Sequence, residues 1–128
     1  MNKDKMRVMA DRVFRDMAGG MAAGLAFVGT ETGLFRAMQG RGAMTESEVV
    51  NASGLQARYV EEWLKGMVAA SYLDYDAQAA TYTLPDEHAF LLASDGTDHF
   101  MGGMFAMLPP LLAVAPRVQD FAKGVIDL

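Results

Sequence analysis

Few residues in this chain have the types and spacing that chemistry needs. There are two histidines, His88 and His99, and neither has a second histidine or a carboxylate at a metal-ligand spacing. Glu87 and His88 are sequence neighbours, which point different ways on a helix. Ser94, Asp95 and His99 supply the three residue types of a hydrolytic triad, but they crowd one short polar stretch with nothing to position them, so they read as chance co-occurrence. The glycine pairs lack the G-x-G-x-x-G pattern and follow no predicted strand, and no phosphate-binding loop is present. There is no cysteine, which excludes disulfides, thiolate catalysis and cysteine-based zinc sites. Taken alone the chain reads as non-catalytic, with no cofactor or metal site of its own.

Composition narrows the partners. The 128 residues are enough for one domain; 52% are hydrophobic and 21% charged, which marks a globular chain rather than a disordered one. The net charge of −5 argues against nucleic acid or anionic lipid as a main partner. A cytoplasmic location is expected.

The elements that organise the chain lie between Ala43 and Leu84. Thr45 and Glu48 form a T-x-x-E capping box that starts a short helix, and Gly54 stops it. A second helix begins near Gln56. Its apolar residues Val60, Trp63, Leu64, Met67 and Val68 recur at i, i+3, i+4, i+7 and i+8, one face of an amphipathic helix. Tyr72–Tyr75 and Thr81–Leu84 are rich in β-formers, with Asp76–Ala80 as the turn between them and Pro85 as the stop. The pattern predicts a mainly α domain: a winged helix-turn-helix with a two-stranded wing, flanked by long apolar N- and C-terminal helices. A winged helix suggests DNA, which the second helix would read with its outward residues. Here those are Gln56, Arg58, Glu61, Glu62 and Lys65, whose charges cancel, and the wing adds Asp74 and Asp76 but no cation. Phosphate binding needs several uncompensated positive charges, so the fold is expected to act as a scaffold.

Two uncharged runs flank this centre. Residues 3–17 have helical periodicity through Met6, Met9, Ala10, Val13 and Met17, and Met17–Thr30 then carries no charge at all. It is too short for a membrane span, and three aspartates in its basic lead argue against a signal peptide. One reading buries this helix on nearly all sides in the monomer. The other packs it against a second subunit, because Gly19, Gly20 and Gly24 each cost about 1 kcal/mol of helix propensity yet let another backbone come close. A break is predicted at Gly33, then short turns over Leu34–Gln39. After the wing, Asp86–Ala93 reads as a helix and Ser94–Asp98 as a loop. Phe100–Pro116 is the second uncharged run, broken by Gly102-Gly103 and Pro109-Pro110, and two helices, Thr97–Leu108 and Leu111–Lys123, are expected. The whole forms one domain over 1–128: N-terminal helices to 42, helix-turn-helix and wing over 43–84, C-terminal helices over 85–128. The expected dimer-interface or substrate-pocket residues are Met17, Met21, Phe27, Met101, Met104, Phe105 and Leu108, since methionine and phenylalanine make an adaptable apolar surface.

Several segments together carry a family resemblance: Gly33-Leu34-Phe35, Gly54-Leu55, Arg58-Tyr59-Val60, Glu62-Trp63-Leu64, Tyr72-Leu73, and Leu84-Pro85 with Glu87-His88-Ala89. In order and spacing the chain resembles the N-terminal domain of bacterial class I S-adenosylmethionine-dependent methyltransferases that begin with a winged helix. The resemblance implies a homodimerisation domain that also helps wall a small-molecule substrate pocket, with S-adenosylmethionine (SAM) as cofactor of the parent enzyme. The family's Rossmann-like catalytic domain, with its glycine-rich cofactor loop, has no counterpart here; the sequence reaches Gly124–Leu128 about where it would begin. No catalytic or cofactor-binding residue therefore carries over. Two other classes stay open: a winged-helix transcription regulator, and a stand-alone dimer that holds an apolar small ligand.

Overall fold

The computed structural model describes residues 1–124. The first helix, α1, runs Lys3–Thr32 and is about 45 Å long at 1.5 Å per residue. Asn2 caps it, its side-chain oxygen accepting the amides of Asp4 at 3.0 Å and Lys5 at 3.1 Å. It ends where predicted, at Gly33, whose φ of +80° is left-handed and opens directly into α2 (Leu34–Met38).

The capping box at Thr45 is formed: its hydroxyl accepts the Glu48 amide at 3.2 Å, and the Glu48 carboxylate reaches back to the Thr45 amide. It starts α3 (Glu46–Ser53), which stops at left-handed Gly54. Then α4 (Ala57–Ala69) buries Val60, Trp63, Leu64 and Met67, four of the five residues of the predicted apolar face, while Val68 is half-buried. The two-stranded wing forms as expected, and a third strand that the sequence did not announce joins it in one sheet. Ala43–Thr45 (β1) pairs antiparallel with Thr81–Thr83 (β3), which also pairs with Asp74–Asp76 (β2), in the order β1-β3-β2. β1 is too short to show an alternation, so its sequence carries no strand signal of its own. Tyr75 and Tyr82 sit opposite each other on β2 and β3, ring centroids 4.7 Å apart.

The core lies between α1, α2, α4 and the sheet. Phe35 meets the Trp63 ring edge to face at 5.1 Å, and the Trp63 indole N–H donates to the Leu25 carbonyl at 2.9 Å, tying α4 to α1. Gly29 of α1 lies against these rings: a methyl group there would come within 2.6 Å of Trp63 Cζ2 and 2.7 Å of Phe35 Cε2.

The flanks depart from expectation in three ways. Residues 3–21 of α1 are all exposed, so the uncharged run is not buried on nearly all sides; only its far end, around Ala26 and Gly29, enters the core. The predicted helix over Thr97–Leu108 shrinks to a 3-10 turn, Gly102–Met107, because Gly96, with its φ of +83°, and the turns after it keep the preceding residues out of a helix. The last helix, α6, runs Leu108–Ala122 and takes in Pro109 and Pro110 instead of starting after them. Both prolines fall in its first turn, where no backbone N–H has an intrahelical partner to lose. Between these, α5 (Asp86–Leu92) follows Pro85 as predicted. Every residue from Pro109 to Gln119 is exposed. The expected lead from Gly124 into a further domain falls on 125–128, outside the described residues.

Candidate functional site

Each residue of the apparent triad is engaged elsewhere. The Arg36 guanidinium donates to Asp95 at 2.6 Å, the His99 ring stacks on Phe90 at 3.7 Å, and the Ser94 hydroxyl donates to the Phe90 carbonyl. Among the described residues no group of three or more His, Asp or Glu side chains is placed to hold a metal ion, and no helix is long and apolar enough to cross a membrane. On the outer face of α4, Lys65 donates to the Glu61 carboxylate at 2.7 Å. That bond holds the Glu61 carboxyl below its ordinary range and pushes the Lys65 ammonium above its own. The cation nearest the wing is thus already neutralised, while Asp74 and Asp76 stand exposed on β2.

The apolar candidates fall into two groups. On α1, Met17 and Met21 are open to solvent, 62% and 68% exposed, while Phe27 is half-buried. α1 meets the 3-10 turn at Thr30, where Gly102 packs in close; Met17 and Met21 lie about 20 Å and about 14 Å along the helix from there at 1.5 Å per residue. At 100° per residue Met6, Val13, Met17, Met21, Gly24 and Val28 share one stripe, opposite the buried Ala26 and Gly29. α1 therefore has an inner face spent on its own domain and an outer apolar face with no partner among the described residues. Gly20 and Gly24 belong to that outer face, with open space above both.

The second group gathers where α4, α5 and the 3-10 turn converge. Met101 and Phe105 line a cavity of about 270 Å³ together with Tyr72 and His88, whereas Met104 points to solvent and Leu108 is half-buried at the start of α6. Sequence reading did not find this cavity. Its walls are separated by many residues in sequence, and its polar member, His88, looked unaccompanied because its partner is a backbone carbonyl.

A family model describing the Rv2258c-like winged HTH domain matches residues 10–94. The chain belongs to that family. Its fold is shared with PigF solved with SAH, at a TM-score of 0.72 and 20% identity over 89% of this chain and 33% of that one. Human N-acetylserotonin methyltransferase (ASMT) in complex with SAM also matches, at a TM-score of 0.60 and 20% identity over 75% of this chain and 29% of the other. This winged HTH chain thus spans about a third of the length of the structures it matches. Comparison with curated protein sequences gives no significant match.

Proposed function

We propose that this winged HTH chain is the dimerisation and substrate-lid domain of a SAM-dependent methyltransferase acting on a small molecule, and is not itself catalytic. The observation that carries the reading is the outer stripe of α1. A contiguous apolar face of this length on a charged, globular chain marks an interaction surface, and a second copy is the partner that supplies an identical stripe. The open space over Gly20 and Gly24 suits close approach of a second helix backbone. The fold shared with SAH- and SAM-bound proteins supports SAM as the cofactor of the whole enzyme. The neutralised face of α4 and the acidic wing support leaving nucleic acid out of it. A cytoplasmic location belongs to the same reading.

Native mass spectrometry tests the assembly. The unaltered chain should give a dimer mass, and Met17→Glu, which places a charge on the stripe at a residue 62% exposed, should give a monomer with unchanged helical circular dichroism. A wild-type chain that stays monomeric at roughly 100-fold the usual nanomolar-to-micromolar range of stable dimers would refute the dimer.

A further inference from the structure

The cavity beside His88 has the construction of a ligand site. Its floor is the end of α4, closed by a Schellman motif: the Tyr72 amide donates to the Met67 carbonyl at 2.9 Å and the Ser71 amide to the Val68 carbonyl at 3.0 Å. The left-handed position of that motif is normally glycine. Here it is Ser71, at φ +64°, and such backbone strain held by a non-glycine residue concentrates at functional sites. α5 forms one wall with His88 and Leu91, and the 3-10 turn with the residue before it forms the other, through Phe105 and Met101. The Met101 amide donates to the Leu91 carbonyl at 2.7 Å, which fixes the two walls to each other. The rings of Tyr72 and Phe105 stand 6.4 Å apart, inclined at 52°.

One polar group is preset. His88 Nδ1 lies 2.7 Å from the Tyr72 carbonyl oxygen. A carbonyl can only accept, so Nδ1 carries the proton, and in the neutral ring Nε2 keeps its lone pair. Nε2 has no protein partner among the described residues. A cavity of about 150 Å³ holds benzene; about 270 Å³ takes two fused rings. We infer that this cavity binds an uncharged one- or two-ring aromatic molecule whose single O–H or N–H donates to His88 Nε2. Aromatic rather than aliphatic ligands are favoured by the two flanking rings and the Met101 thioether. The site lies within one chain, so it stands or falls apart from the dimer.

The test is titration of the full chain at pH 8 with 2-naphthol, followed by amide chemical shifts and calorimetry, beside 2-methoxynaphthalene, which has the same rings but no donor. Saturable binding is expected, with the shifts confined to Ser71, Tyr72, His88, Leu91 and Met101. The methoxy compound should bind about tenfold more weakly, the cost of losing that one hydrogen bond to the half-buried His88. Leu91→Trp, which fills the mouth from a residue 38% exposed, should abolish binding. The inference is overturned by an absence of saturable shifts, by shifts along the outer stripe of α1 instead, or by equal affinity for the two compounds. The comparison of compounds needs no variant, so it holds even if a substitution unfolds the chain.

Discussion

Gly29→Ala should destabilise the chain even though alanine is the better helix former. In the interior of α1 the exchange gains about 1 kcal/mol of helix propensity. Against this, the new methyl group would sit 2.6 Å from Trp63 Cζ2 and 2.7 Å from Phe35 Cε2, where ordinary carbon contacts need about 3.5 Å. Relief requires both rings to shift by about 1 Å. Trp63 is held by its 2.9 Å bond to the Leu25 carbonyl, and both rings are buried with no vacant space to enter. Overpacking of this kind costs about 3 kcal/mol at the upper end of its usual range, so the net loss is about 2 kcal/mol. Urea unfolding measures it, read by the fluorescence of Trp63, the single tryptophan, at one fixed protein concentration because assembly adds to apparent stability. Gly20→Ala is the internal control: nothing lies within 4 Å of the added methyl, so it should bring no such loss. A Gly29→Ala chain as stable as the original would refute the packing of α1 against α4.

Ser71→Gly should raise stability by about 1 kcal/mol, or about 4 °C in the thermal midpoint, by removing the strain of a left-handed serine while the unfolded chain gains some freedom. Thr45→Ala removes the acceptor of the capping box and should cost about 1 kcal/mol in the same urea assay. Burial, then the neighbouring Tyr75, raises the Tyr82 hydroxyl above its ordinary pKa of 10.0. A folded pKa above the unfolded one gives a contribution present in full below pH 10.0 and lost as the pH rises through the folded value. In a titration at 295 nm Tyr82 should therefore ionise above pH 10.0, and the urea midpoint should fall above that pH.

The legible parts of the fold were those written in local chemistry. Thr45 with Glu48, Gly33, Gly54 and the apolar period of α4 each specify an element within a turn or two of chain, and each is found in place. What depended on distant partners was not legible. β1 is a strand only because β3 lies beside it, and the cavity exists only because α4, α5 and the 3-10 turn meet. Pro109 and Pro110 misled for a different reason: proline breaks a helix interior but suits a helix start, and the sequence did not say which applied. Of the candidate residues, Met17 was readable from periodicity as part of one apolar helix face, and the structure leaves that residue exposed. Met101 and Phe105 were chosen for their apolar character, and only the structure unites them with His88.

The length of α1 has a consequence for copies that have not yet assembled. Nearly all of its first two-thirds is exposed, and two glycines, Gly19 and Gly20, interrupt it, so its N-terminal turns by themselves are only marginally helical in water. In a lone copy those turns fray, and their amides exchange with solvent and offer themselves to proteases. Were a second copy to cover the outer stripe, as proposed, the same turns would be shielded. Trypsin, which has Lys5, Arg7, Arg12 and Arg15 to cut at in that segment, should trim a dilute sample and spare a concentrated one. A cell that degrades frayed ends would by the same means clear orphan subunits and leave matched ones intact.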